Sequence, residues 1–366
     1  MVKQSALLII CLLWFSIGYA QDEYPPITPD NADTVTAINT ITVASNRAEQ
    51  PIALDFNPVD STRLAVAFEG GTLGIISNPA QPQSQILRWP AHNGDVNDVL
   101  HSADGESLFS AGADGRVMEW DSQNGELIRT LDEHRKAAYS LALHPDGDIL
   151  AVGYDDGLVR IFDLVNGEKI ITLYSLERAI LDIEFHPNGR FLGFSHQTLW
   201  IHIYEIGDLR QDEINLFATM HMGEIAEFEF QPDIFNPEPP PMLYVVALVT
   251  AAVNWQSVIS WDVFRVFPND EFAPKFESNS EITYPSALDY NSDGSLIVVG
   301  GNVCTTEVNT DVIEIMHGVK LGDEKFSVIT TLEQDERWVR DVIFSGDDSF
   351  VAAAIDMNLI VLAVSR

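Results

Sequence analysis

Three phrases decide the fold: VNDVLHSADG (96–105), AYSLALHPDG (138–147) and ILDIEFHPNG (180–189). Each alternates apolar with other residues and closes on a turn glycine, and Gly105, Gly147 and Gly189 recur at 42-residue intervals. Period-two alternation puts the two sets of side chains on opposite faces of a strand. Related phrases are PIALDFNPVD (51–60), IAEFEFQPDI (225–234), PSALDYNSDG (285–294) and VRDVIFSGDD (339–348). A period near forty, carrying strands and turn glycines, predicts propeller blades repeated around an axis.

The remainder of the unit repeats as well. SLFSAGADGRVMEWDSQNGELIRTL (107–131) parallels DILAVGYDDGLVRIFDLVNGEKIITL (148–173). Each holds a second strand, a DG turn, a third strand ending in Trp120-Asp121 or Phe162-Asp163, an NG turn and an outer strand. NG and DG pairs between apolar runs are strong hairpin signals. Blade five carries an insertion, IFNPEPPPML, and blade six lacks a WD pair.

At this point the chain resembles the WD-repeat family, most strongly over 91–206. The resemblance implies an all-β fold: a seven-bladed β-propeller of four-stranded antiparallel blades over 37–366. AINTITVAS (37–45) would supply the outer strand of the last blade and close the ring. It also implies that His92, Ser110, Asp114 and Trp120, with His134 and Asp156 one repeat later, brace their blades through hydrogen bonds.

The sequence has 366 residues, with 20 basic against 55 acidic ones, for a net charge of −35. Such a surface repels phosphate backbones, which excludes nucleic acid as a partner without a concentrated basic patch. Residues 1–20 (MVKQSALLIICLLWFSIGYA) have a basic start, an apolar run and small residues at Gly18 and Ala20. That pattern predicts a signal peptide cleaved near Ala20 and an extracytoplasmic (secreted or periplasmic) protein with no membrane span in the mature chain. Residues 21–36 read as a polar linker. Cleavage removes Cys11, one of two cysteines, and leaves Cys304 as a small buried hydrophobe.

No catalytic set is found, so the chain is read as a non-enzyme. His144 and His186 recur at turn positions; His196 and His202 have no partner legible in the sequence. The third position of the inner strands reads Ala53, Asp98, Ser140, Asp182, Glu227, Ala287, Asp341; the fifth reads Asp55, Leu100, Ala142, Glu184, Glu229, Asp289, Ile343. Inner strands line the channel, so these acids converge. They either accept backbone amides of the next blade or hold a cation such as Ca2+, with Asp98, Asp182, Glu227 and Asp341 as its ligands.

The resemblance implies a monomeric scaffold for a protein or peptide, bound on the loops that lead into the inner strands. Candidate contacts are Arg135, Lys136, Tyr139, Arg178, Arg337, Trp338 and Arg340, an aromatic and arginine mixture typical of binding hot spots. The segment DERWVRD (335–341) ranks first and Tyr139 second. The alternative is an exported propeller enzyme or cation-dependent small-ligand binder using the channel acids.

Overall fold

The computed structural model describes residues 24–174, 178–197, 200–211, 213–221, 224–230, 243–253, 256–266, 277–278, 282, 284–304, 309–317, 325–326, 328–334 and 338–364. The expectations for residues 1–20, Arg337 and the side chains of Glu227 and Cys304 fall outside what is described.

The chain is built from antiparallel sheets that follow the repeat. Blade one runs Pro51–Phe56, Arg63–Phe68, Thr72–Ser77, Gln85–Pro90. Blade two is Val96–His101, Ser107–Gly112, Arg116–Asp121, Leu127–Glu133. Blade three is Ala138–Leu143, Ile149–Tyr154, Leu158–Asp163, Glu168–Tyr174. Blade four is Ile180–Phe185, Phe191–His196, Trp200–Ile206, Ile214–His221. Blade five has three described strands, Glu224–Phe230, Leu243–Val253 and Gln256–Val266. Blade six is Tyr284–Tyr290, Leu296–Cys304, Asn309–His317, Val328–Gln334. Each inner strand lies against that of the next blade, and the inner strand of blade seven lies against that of blade one.

Blade seven has three strands from the end of the chain, Val339–Phe344, Val351–Ile355 and Asn358–Val364. Its fourth is Val35–Thr42, paired antiparallel to Asn358–Val364 from Val35↔Val364 to Thr42↔Asn358. The strand begins two residues earlier than the sequence suggests. The linker reading of 21–36 also needs correction from Tyr24 onward. Ile27 and Ala32 are buried in the core of blades six and seven, Tyr24 packs edge-on against Phe350, and the Ile27 amide donates to the Asp348 carbonyl at 2.7 Å. A few apolar side chains in a polar stretch suffice to dock it, because the sheet edge beside it is already apolar.

The core is a series of layers between blades. Ala65, Ala67, Leu73 and Ile75 of blade one meet Val96, Val99, Leu108, Met118 and Trp120 of blade two in one such layer. Equivalent layers join blades two to three, three to four, six to seven and seven to one. Each blade therefore has two apolar faces and cannot bury both alone. Among the described residues no helix is long and apolar enough to cross a membrane.

If Ile27 anchors the start of the chain, Ile27→Ala destabilises the protein by about 2–4 kcal/mol. The midpoint of urea unfolding measures this. A midpoint equal to the parent's means the segment is a free tether.

Candidate functional site: the channel and the upper face

In every blade, the pairing of the inner strand with the second strand slips at the start of the phrase, as between Val96 and Asp98 or Val339 and Asp341. The slip is a β-bulge, which turns the strand and re-aims the residues around it. The bulge gives the third position its direction. The Asp98 carboxylate accepts the amide of Leu141 in the next blade at 2.7 Å. Asp182 accepts Phe228 at 3.0 Å, and Asp341 accepts Leu54 at 2.6 Å. Ser140 does the same through its hydroxyl oxygen, accepting Ile183 at 3.0 Å.

Blades one and six have alanine at the third position and an aspartate at the fifth. There the clasp moves two residues down the strand. Asp55 accepts the His101 amide at 2.7 Å, and Asp289 accepts the Phe344 amide at 2.5 Å. Among the described residues, six seams thus carry a side chain from the inner strand of one blade to an amide of the next. A second row lies below. Asn57 donates to the Gly105 carbonyl at 2.8 Å, and His144 Nε2 donates to the Gly189 carbonyl at 3.0 Å. Gly105 has φ +71°, and a Cβ there would stand 2.3 Å from Asn57 Oδ1. The signature glycines are therefore seam contacts as well as turn residues.

The clasping acids crowd one another. Burial, then the neighbouring acids Asp341 and Asp182, push Asp98 well above the usual carboxylate range. Burial raises Asp341 to about 7, with Asp55 and Asp182 adding to it. Glu184 is raised by burial and by Asp182, Asp289 and Asp98. Asp98, Asp182 and Asp341 each spend an oxygen on an amide, which supports the clasp reading over the cation reading. His144, Asp146 and Asp148 lie close enough together to suggest a metal, but His144 Nδ1 accepts the Asp146 amide at 3.1 Å and Nε2 is spent on Gly189. Sequence reasoning missed a pocket of about 290 Å3 beside the fifth-column acids, lined by Asp55, Asp289, Tyr290 and Phe344.

The bracing residues come together in blade two. His92 Nδ1 is 2.9 Å from Asp114 Oδ1, and His92 Nε2 is 2.8 Å from Ser110 Oγ, which also accepts Trp120 Nε1 at 2.9 Å. A carboxylate only accepts, so Nδ1 carries the proton and Nε2 accepts the serine hydroxyl. Burial pulls His92 below its ordinary value, keeping the ring neutral.

Blade three keeps one link, His134 Nε2 to Asp156 at 2.8 Å. Val152 stands where blade two has Ser110, so Arg160 supplies the other, donating to His134 Nδ1 at 2.9 Å. Arg160 also pairs with Asp132, which accepts the Tyr154 hydroxyl at 2.6 Å. In blade four, one period on, Tyr154 and Arg160 become His196 and His202, whose Nε2 atoms are 2.9 Å apart with stacked rings. The 42-residue offset was the available signal for both pairs.

The upper face carries the loops before the inner strands. Trp338 is 59% exposed and Tyr139 38%. Arg135 and Arg178 are exposed, and Lys136 reaches Asp155 at 3.3 Å. Arg340 is engaged within the ring: it donates to Gln50 Oε1 at 2.7 Å and pairs with Glu69 at 3.1 Å. Gln50 in turn donates to Asp356 at 2.6 Å, across the seam between blades seven and one.

Residues 83–121 and 125–163 match the profile of the WD domain, G-beta repeat. The chain thus carries two matched WD repeats, which fall on the outer strand of blade one and on blades two and three. It is similar to Actin-interacting protein 1 of Drosophila melanogaster, 28% identical over 31% of this chain and 18% of that protein. It is also similar to the human U3 small nucleolar RNA-associated protein 4 homolog (34% identical; 24% and 12% of the two chains). A third relative is the Intraflagellar transport protein 80 homolog of Rattus norvegicus (34%; 20% and 9%). The matches thus span less than a fifth of each relative. They correct one expectation: these proteins are named for actin, nucleolar RNA and intraflagellar transport, all intracellular, which overturns the extracytoplasmic localisation read from residues 1–20.

Two outcomes test the geometry. Ser110→Ala strands His92 Nε2 and Trp120 Nε1 and lowers unfolding free energy by about 2–4 kcal/mol. A loss below half a unit would remove the brace. At Asp341 the folded pKa lies above the unfolded one, so the folded state holds the extra proton between about pH 4 and 7. Its contribution is present in full below that window and fades as pH rises through it. Asp341→Asn keeps an acceptor and flattens this dependence, whereas Asp341→Ala loses the clasp at about 1–3 kcal/mol. Equal behaviour of the two variants in a pH series of denaturant melts counts against the clasp.

Proposed function

We propose that this protein is a non-enzymatic scaffold that binds a protein or peptide on its upper face. The observation carrying this reading is the division of labour among its polar residues. The described histidine and carboxylate pairs of the repeat are spent within blades or across seams. The exposed aromatic and arginine groups, by contrast, gather on the loops above the inner strands. Trp338 and Tyr139 offer large, stiff contact area at low entropic cost. The relatives support the same reading in part, since one is named for an interaction with actin.

The channel alternative, an enzyme or cation-dependent binder, has less support. Asp98, Asp182 and Asp341 already accept backbone amides, and leaving those amides bare costs about as much as a lost hydrogen bond each.

Site-directed photocrosslinking tests the face. A benzophenone at position 139 or 338 captures a discrete partner that one at Val165, 75% exposed on the opposite face, does not. Tyr139→Ala with Trp338→Ala lowers capture at least about tenfold, as for hot-spot loss. Equal capture from both faces rules this assignment out.

A further inference from the structure

Blade three interrupts the acidic ring. Every other blade has a carboxylate residue in the third or fifth column, whereas blade three has Ser140 and Ala142. The loop leading into that blade carries Arg135 and Lys136, both exposed, and Tyr139 sits on its bulge. Arg178 is exposed two residues before the inner strand of blade four, which lies directly against that of blade three.

Five arginines among the described residues are paired with a carboxylate. Arg116 pairs with Glu133 at 3.3 Å, Arg129 with Glu119 at 2.5 Å, Arg190 with Glu205 at 2.6 Å and Arg340 with Glu69 at 3.1 Å. Arg160 pairs with Asp132. Arg135 and Arg178 have no ion pair among the described residues. Three described acids of blades two and three are already engaged: Asp156 with His134, Asp155 with Lys136 and Glu133 with Arg116. In a chain with 55 acidic residues, Arg135 and Arg178 set two exposed cations on the loops that flank the one blade without channel acids.

We propose that the sector formed by Arg135, Tyr139 and Arg178 binds an acidic peptide segment, each arginine taking one carboxylate and the tyrosine ring covering the peptide between them. This rests on the upper-face reading above and gives its partner a chemistry. The arginines stand on different blades, so they suit two anionic groups spaced along a chain better than one compact ion. Arginine's planar fork matches a carboxylate through two parallel hydrogen bonds. The acids of the other blades repel the same peptide, which confines it to this sector.

Fluorescence anisotropy on the full chain tests the proposal. The probe is a labelled peptide alternating glutamate and serine, compared with its glutamine and lysine counterparts and with a glutamine peptide bearing one phosphoserine. The glutamate peptide binds, weakens with salt, and loses about tenfold or more in affinity on Arg135→Glu with Arg178→Glu. Arg135→Gln with Arg178→Gln loses less, and Lys169→Glu, away from the loops, changes nothing. No binding of the glutamate peptide, equal binding of the glutamine peptide, binding of the phosphoserine peptide alone, or indifference to charge reversal overturns it. If charge reversal leaves crosslinked capture at position 139 intact, the upper face stands as the binding surface and only the acidic-partner inference fails.

Discussion

An inner strand of a propeller blade is an edge strand. Its outward amides face a neighbour that diverges from it, so no backbone ladder can satisfy them. A buried amide without an acceptor is costly, and the ring closes only if acceptors are supplied. This chain supplies them with short side chains projected across each seam. Where the third residue is an aspartate or serine it serves; where it is alanine, as at Ala53 and Ala287, an aspartate two residues on takes over. The channel is acidic as a by-product. The raised pKa values of Asp98, Asp289 and Asp341 are the electrostatic cost of satisfying backbone groups with carboxylates.

The same constraint explains how the blades differ. The interior bracing of blade two is a neutral histidine relay ending on Trp120, whereas blade three, lacking a hydroxyl at Val152, recruits Arg160 and Tyr154. Both solutions pin a histidine in one tautomer beneath an aspartate of the DG turn. What is preserved is satisfaction of the turn and the loop above it, and the residues that achieve it are interchangeable. The matched repeats add to this. Residues 83–121 include the outer strand of blade one and three strands of blade two, so the unit of sequence straddles two sheets.

Much of this was legible in the sequence because it rests on local chemistry repeated at a fixed interval. The turn glycines, the alternation and the WD and FD pairs define blades one to four and their register. The two columns of acids were visible as well, and one of the two readings they allowed was a contact with the next blade. The β-bulge at the head of each inner strand was not legible, since the residue at its centre varies from Asn97 to Tyr139 to Arg340. Without it, the choice between amide and cation stays open. The docking of Ile27 also escaped notice, because the carbonyl its amide reaches, that of Asp348, lies more than three hundred positions away. Arg340 read as a surface group for a similar reason: Gln50 and Glu69, which hold it, come from the opposite end of the chain.

The pairing of Val35–Thr42 with Asn358–Val364 bears on how the polypeptide is made. The Thr42 hydroxyl and its partner Asn358 are separated by 316 residues, which at ribosomal speeds is roughly tens of seconds of synthesis. For that interval a ribbon rich in isoleucine and threonine has left the ribosome while the strand it must join does not yet exist. Six sheets can form in order behind it, but the circle stays open until Asn358–Val364 has been made. The newborn chain thus passes through a long phase in which both the first ribbon and the growing stack present bare edges, and the cell must keep them apart from other such edges.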